Sequence, residues 1–324
     1  MKRREFIALA GGLTILPLAA RAQLSAKSWR LGYVGTGGLG NQLFEEFAQK
    51  LNTLGYVAGK NIVVSRAIAS PEAKAVEAAV TKLLPEIDIL VIWGTVGATV
   101  VKRLNQSVPT VFLSVGAPVD IGLVQSLSHP GGNMTGVSFE AAIDTYAKRL
   151  QMLKEAVPSL ERIAVLAAQG DSNVLFAMNS IEQAASEMHV ALKTIYVKTA
   201  DDLPAAFAEI QQSNVGGLIV IAGLLTAENS KTIAELALAK HLPSCHGFRE
   251  AVVAGGLMSL GPDLFAIARQ GAVYVDKIIH GANAADLPVE QPDRYETFIN
   301  LKTANALGLA IPAYLVAGAD KVIE

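Results

Sequence analysis

The chain has 324 residues, and at about 150 per domain this length predicts two domains, each able to bury a core, in a chain that reads as whole rather than as a fragment. With 51% hydrophobic and 17% charged residues it falls outside the intrinsically disordered class; 27 Lys and Arg against 29 Asp and Glu leave a net charge of -2, and no basic stripe interleaved with aromatics points to nucleic acid. A single cysteine, Cys245, excludes an internal disulfide and a multi-cysteine metal site.

In chain order, Lys2-Arg3-Arg4 precede an apolar run over 7–20, broken by Gly11, Gly12 and Pro17 and followed by Ala20-Arg21-Ala22. That is the pattern of an export signal over 1–23, cleaved near Ala22, and the paired arginines resemble a twin-arginine leader. About 14 apolar residues rise about 21 Å, short of a hydrocarbon core of about 30 Å, so the segment reads as a cleaved signal rather than an anchor. No Cys follows the cleavage position to carry a lipid, and no other run is apolar enough to span a bilayer, so a periplasmic protein is expected.

Residues 29–34 then read as a strand. Phe44, Phe47, Leu51 and Leu54 mark one face of a helix that Gly55 ends. A strand at 62–66, a helix over 71–84 with Pro71 in its first turn, a strand at 87–93, a helix over 95–105 and a strand at 110–115 complete the series. The same order returns in the second half: strand 162–167, helix 173–188, strand 190–197, helix 201–212 with Asp201 as its cap, strand 218–222, helix 227–241 and a short strand at 243–247. Between the halves, Ile143, Tyr146, Leu150, Leu153 and Val157 trace an amphipathic helix, and 116–136 is left without a regular element. A helix at 264–280, a strand at 297–301 and a helix at 303–307 form a tail too long to stand alone.

Strands alternating with helices predict an α/β fold of two similar Rossmann-like lobes with parallel sheets. The tail implies that the chain crosses between the lobes more than once, so several strands form a hinge. Expected boundaries are 28–137 plus 262–291 for lobe 1, and 138–261 plus 292–324 for lobe 2.

In open parallel sheets ligands bind beyond the carboxyl ends of the strands, where helix N-termini present N–H groups. The rule points to Gly35, Thr36 and Gly37 within 35–40, to Gly94 and Thr95, to Gly116 and Pro118 within 115–119, to 168–172, to Ala222 and Gly223, and to Gly247, Phe248 and Arg249 within 247–250. For each, a turn glycine or a helix cap is the plain alternative. Trp93, Phe139 and Phe248 either pack in the core or wall a pocket, and Arg249 pairs either with a ligand carboxylate or with Glu250 and nearby acids.

The loop GTGGLG (35–40) follows a strand and precedes a helix, the setting of a dinucleotide fingerprint. The acid expected at the end of the next strand is absent, and Ser65-Arg66 there suits only a 2′-phosphate, so the alternative is an exported NADP-dependent oxidoreductase. His241, Cys245 and His246 do not converge as metal ligands across a helix end and a strand, and a buried cysteine beside a satisfied histidine is the simpler account. No nucleophile elbow, H-E-x-x-H or P-loop occurs, and neither Ser138 nor Ser259 has a marked partner base.

With these segments in place, the chain resembles the solute-binding proteins of bacterial ABC transporters of the tryptophan/tyrosine type. The resemblance spans nearly the whole mature sequence. It rests on GYVAGKNI (55–62), GTVGA (94–98), PTVF (109–112), GLVQSL (122–127), PGGNMTG (130–136), GFRE (247–250), AGGLMS (254–259), DLPVEQP (286–292) and NLKTA (300–304). It implies a periplasmic binding protein of type 1, with three hinge crossings, that takes a small solute in the interlobe cleft, an amino acid or related carboxylate, and delivers it to a membrane permease. It further implies a non-enzymatic, cofactor-free protein, expected as a monomer, with ligand contacts on the loop after the first strand, Thr95, Ala98, the segment around Pro118, Ser138 and 247–250. Two positions depart from the pattern: Ala117-Pro118-Val119 stands where the family has Asp-Pro-Val, and Leu260 where an aromatic is common. Without an acid at 117, the contact to a ligand amine has no assigned residue. A sensor subunit docking on a receptor kinase would share the same fold.

Overall fold

The computed structural model describes residues 28–324 apart from 38, 71, 106, 140–143, 172 and 293. The expected export signal with its Ala22 cleavage position, the helix start at Pro71, Ile143 and the loop residues Gly38 and Ser172 lie outside the described residues.

The first sheet begins with β1 (Trp29–Thr36), β2 (Ile62–Ala69), β3 (Ile89–Trp93) and β4 (Thr110–Val115), with β5 (Met134–Ser138) at its far edge. Its order is β2-β1-β3-β4-β5 and every pairing is parallel. The central strands carry unbroken apolar runs, Ile-Leu-Val-Ile-Trp in β3, because helices cover both faces. On one side α1 (Gly40–Thr53) buries Leu43, Phe47 and Leu51, spaced four residues apart and therefore on one face. The Phe47 ring sits 5.3 Å from that of Tyr33 on β1. On the other, α2 (Ala73–Leu83) and α3 (Thr95–Leu104) pack through Val76, Val80, Ala98 and Val101.

The second sheet repeats the plan. β6 (Arg162–Ala168), β7 (Ala191–Val197), β8 (Gly217–Val220), β9 (Ser244–His246), β10 (Met258–Pro262), β11 (Tyr295–Asn300) and β12 (Lys321–Ile323) order as β12-β11-β10-β9-β8-β6-β7. The run β7-β6-β8-β9-β10 matches β2-β1-β3-β4-β5 strand for strand, as the repeated spacing of the sequence implies. Among the described residues only β10 with β11 is antiparallel, so the sheets are mostly parallel. Helices α4 (Asp144–Ala156), α5 (Asn173–Glu187), α6 (Leu203–Gln212), α7 (Leu224–Glu228), α8 (Ser230–Ala239) and α9 (Arg249–Val253) accompany it.

Several expectations need correction. β5 lies in the stretch left without an element, because Met-Thr-Gly-Val-Ser has neither length nor alternation enough to stand out. β10 likewise hides in a glycine-rich segment. The helix expected over 227–241 is two helices, α7 and α8, interrupted at Asn229, whose side-chain amide donates to the Leu225 carbonyl at 2.8 Å. Asp201 is not the cap: a 3-10 turn at Ala200–Asp202 leads into α6 and is capped by Thr199 in a capping box, in which the Asp202 carboxylate accepts from the backbone N–H groups of Lys198 and Thr199 at 2.8 and 3.0 Å. The tail also contains α11 (Leu301–Ala306), α12 (Ala313–Ala317) and the edge strand β12.

The chain passes between the sheets three times. It leaves β5 for α4, leaves β10 for α10 (Leu264–Ile279), which packs on α1 and β4 of the first sheet, and returns from Glu290 to β11. The backbone of Glu290 donates to Gly136 at 3.0 Å and accepts from Ser138 at 2.9 Å, so first and third crossings run side by side. The Tyr295 hydroxyl donates to the Phe139 carbonyl at 2.9 Å, and Arg249 binds Asp263 of the second crossing at 2.8 Å and Glu296 at the start of β11 at 2.6 Å. Among the described residues no helix is long and apolar enough to cross a membrane.

Candidate functional site

Parallel strands aim their carboxyl ends the same way, and here the two sheets aim theirs at each other. A cleft between them is lined from the first sheet by Thr36 after β1, by Trp93, Gly94, Thr95 and Val96 after β3, and by Ser114 on β4. Leu39, Gly40 and Leu43 join from the start of α1. From the second sheet come Asp171 after β6, Gly223, Leu224, Ala227 and Glu228 after β8, and Phe248 after β9, while Phe139 and Leu264 enter from the crossings. With its open mouth and the solvent in it included, the space is about 620 Å³.

The wall is apolar. Phe139 and Phe248 form a tilted ring pair with centroids 5.8 Å apart, both nearly enclosed. They belong to the core cluster of the first lobe although Phe248 and Ala222 come from the second, so the lobes are packed against each other at the cleft floor. The Trp93 indole nitrogen and the Tyr33 hydroxyl are both buried, each without a hydrogen-bond partner among the described residues. Two backbone approaches mark the lobe contact. A methyl on Gly37, which has φ +61°, would overlap the Glu228 carboxylate, and one on Gly116 would overlap the Asn173 side-chain oxygen. These glycines are required because a side chain from the opposite lobe rests where a Cβ would be.

The polar groups are few and unevenly charged. Thr95 at the start of α3 accepts the Gly116 N–H on its hydroxyl at 3.1 Å, tying the ends of β3 and β4 together. Asn173, wholly buried at the start of α5, donates to the Ala222 carbonyl at 2.9 Å and the Tyr146 hydroxyl at 3.2 Å, leaving its side-chain oxygen without a partner. Asp171 accepts the Asn173 N–H at 3.0 Å, and burial pushes its carboxyl above the usual range. Glu228 has a buried Oε1 with no partner, and burial pushes its carboxyl up to about 7. Among the described residues no Lys, Arg or His lines the cleft.

Of the residues singled out from sequence, Thr36, Trp93, Gly94, Thr95, Phe139, Gly223 and Phe248 line this space, together with Leu39 and Gly40 of the segment 35–40 and Asp171 of the segment 168–172. Gly37 and Gly116 frame it through the glycine contacts just described. Gly247 and Ala222 lie one layer behind, pressed together so that a methyl on Gly247 would meet the Ala222 Cβ. Gly35 is buried in β1 against Ile68, Ser138 is buried in β5, and Ala98 is buried in the core of the first lobe. Pro118 opens a turn that accepts the N–H groups of Leu123 and Val124. Arg249 is occupied by Glu250, Asp263 and Glu296, the second of the pairings its sequence context left open. Arg66, the residue a 2′-phosphate would need, is taken up by Asn41, Glu45 and the Phe44 ring. Cys245 is buried, with its thiol pushed up to about 12, and the His246 ring nitrogen pairs with the Ser244 hydroxyl at 2.9 Å. Among the described residues no group of His, Cys, Asp or Glu is placed to hold a metal.

Sequence reasoning missed Glu228, Leu224, Ala227, Leu43 and Leu264. The first three sit on α7, five residues that straddle the helix start expected at 227 and show no helical period of their own.

The family of ABC transporter substrate binding proteins matches residues 41–323. A tyrosine-binding protein of Clostridioides difficile (strain R20291) is 23% identical over 264 residues, 81% of this chain and 75% of that protein. The ABC domain from Streptococcus pneumonia solved in complex with L-Trp superposes with a TM-score of 0.85 at 20% identity, covering 92% of this chain and 100% of that one. A conserved domain protein from Vibrio cholerae O1 biovar eltor superposes with a TM-score of 0.86 at 23% identity, covering 91% and 100%. The fold of this chain is that of the type 1 periplasmic binding proteins, two α/β lobes with mostly parallel sheets.

Proposed function

The chain belongs to the family of ABC transporter substrate binding proteins, and on that premise we propose that it is the solute-capturing component of an importer, exported to the periplasm and handing its cargo to a membrane permease. The solute is a small organic molecule with an apolar or aromatic body, an amino acid or related carboxylate, held in the interlobe cleft. The observation that carries this is the cleft itself: strand ends of both lobes converge on one apolar space walled by Trp93, Phe139 and Phe248. The names of the similar proteins, one tyrosine-binding and one holding L-Trp, agree with an aromatic body.

The mechanism is a population shift. A solute touching both rims gains contacts only when the lobes are together, so it favours the closed form by that difference in contact energy. The three crossings act as the hinge, and the closed shape signals occupancy to the permease. The lobe boundaries proposed are 28–137 plus 262–291 and 138–261 plus 292–324. Mass spectrometry of the small molecule that co-purifies, followed by thermal denaturation with that compound, tests the reading. At 100 times Kd a ligand adds about 2.7 kcal/mol, a shift of several degrees. No co-purifying compound, and no shift with amino acids, aromatic carboxylates or amines, would contradict it.

A further inference from the structure

Where the two lobes meet behind the cleft, a side-chain amide is shut off from water. Asn173, at the start of α5 beside the second sheet, has no exposed surface, and its amide hydrogens are engaged within that lobe by the Ala222 carbonyl at 2.9 Å and the Tyr146 hydroxyl at 3.2 Å. These bonds fix the orientation of the amide, because turning it over would set oxygen against the Ala222 carbonyl. The oxygen therefore faces Gly116, at the end of β4 in the first sheet, and a methyl there would overlap it. No positive φ calls for glycine at 116, so the need is for space. Among the described residues no donor meets the oxygen, and the Gly116 N–H is committed to the Thr95 hydroxyl at 3.1 Å. A Cα hydrogen returns only part of what a water or an N–H would give. The cost belongs to one state only: with the lobes apart, Gly116 withdraws and water reaches the oxygen. An acceptor buried without a donor shifts an equilibrium about 5- to 100-fold, here toward the open form. Glu228 sets an unpartnered Oε1 against Gly37 at the other interlobe contact, but its carboxyl, pushed up to about 7, sheds its charge by taking a proton. A carboxamide has no such escape.

We propose that Asn173 is an opening spring: its bare oxygen disfavours the closed form of the empty protein, and the contacts a solute makes in the cleft offset that cost. The assignment rests on the closing motion proposed above and adds what keeps an unloaded protein from showing the closed shape to the permease. Asn173 is not among the residues that line the cleft, so it acts on the lobe equilibrium and not on the choice of solute.

The test measures lobe separation in the full mature protein, freed of co-purifying compound by unfolding and refolding. Spin labels on Glu72→Cys and Asp201→Cys, exposed positions at the outer mouth on opposite lobes, give the distance by pulsed electron resonance, and the enclosed Cys245 stays unlabelled. The expected result is a long separation in the empty protein with Asn173 in place, and a ratio of closed to open molecules raised about five-fold or more in Asn173→Ala. Asn173→Ser also withdraws the oxygen from Gly116 while keeping a hydroxyl donor beside the Ala222 carbonyl, and should act in the same direction; thermal melts confirm which variants fold. An amide that only braced Ala222 and Tyr146 within its own lobe would, when lost, leave the ratio unchanged or lower it. An empty protein already mainly closed with Asn173 in place, or a ratio not raised in whichever variant folds, would overturn the spring while leaving the binding role intact. A single separation shared by the empty protein and the protein saturated with the co-purifying compound would bring down the closing motion itself, and the spring with it.

Discussion

A methyl group at position 37 should work as a wedge between the lobes. Gly37 sits at φ +61° and the Glu228 side chain rests against its Cα, so alanine there brings two separable costs. The first is backbone strain, about 1 kcal/mol for a left-handed alanine, felt whether the lobes are open or closed. The second arises only in the closed form. The carboxylate must retreat on the order of 1 Å to regain van der Waals distance, and overpacking of this kind costs about 1–3 kcal/mol. Only the second cost separates open from closed, so ligand affinity should fall about 5- to 150-fold. Gly122→Ala is the control. Gly122 has a similar φ of +70° with nothing within 4 Å of the added methyl, so it should lower stability in denaturant by a like amount and leave affinity unchanged. In a Glu228→Ala background the wedge has nothing to strike, and Gly37→Ala should then cost no more affinity than Gly122→Ala. Calorimetry on the four-member cycle decides the matter. Wild-type affinity in Gly37→Ala, or an undiminished penalty in the Glu228→Ala background, would refute the idea that this contact belongs to the closed form.

Other consequences concern stability. His246 is enclosed and burial lowers its pKa from 6.5 to about 4, so its contribution is present above pH 6.5 and fades as pH falls toward 4. Urea denaturation should show about 2 kcal/mol lost from this group between pH 7 and pH 5, a loss that His246→Asn removes. Glu228 has the opposite sign. Its raised pKa means stability present below about 4.5 is given up by pH 7, so Glu228→Gln should stabilise the ligand-free protein at pH 8 by about 1 kcal/mol, after allowance for partial solvent screening, and by nothing at pH 4. Arg249→Met leaves Glu250, Asp263 and Glu296 without their shared cation and should cost about 2 kcal/mol, read as a lower denaturation midpoint. Gly136→Ala drives a methyl into the Phe112 carbonyl at a φ of +153° and should cost at least about 3 kcal/mol, visible as rapid proteolysis.

The sequence carried the architecture because an α/β repeat is written in hydrophobic spacing, and spacing was clear in β1, β3, β4, β6 and α1. The strand-end rule then located the rims at Thr36, Thr95, Gly223 and Phe248 without knowledge of side-chain direction. It could not separate rim from support. Gly247 and Ala222 occupy the right loops one layer too deep, and Arg249 meets acids that the chain brings back from 263 and 296. Nor could it see α7, whose five residues are too few for a helical period, and with it went Glu228, the group that carries the cleft's unmet charge. β5 and β10 escaped for a related reason, since each is a short strand containing glycine beside a crossing.

The most direct test of the central claim is small-angle scattering of the mature protein, alone and saturated with the compound that co-purifies. If a solute draws the two lobes together, the radius of gyration falls on saturation, and Gly37→Ala blunts the fall at the same occupancy. A saturated protein whose scattering curve is the same as that of the empty one would contradict the account.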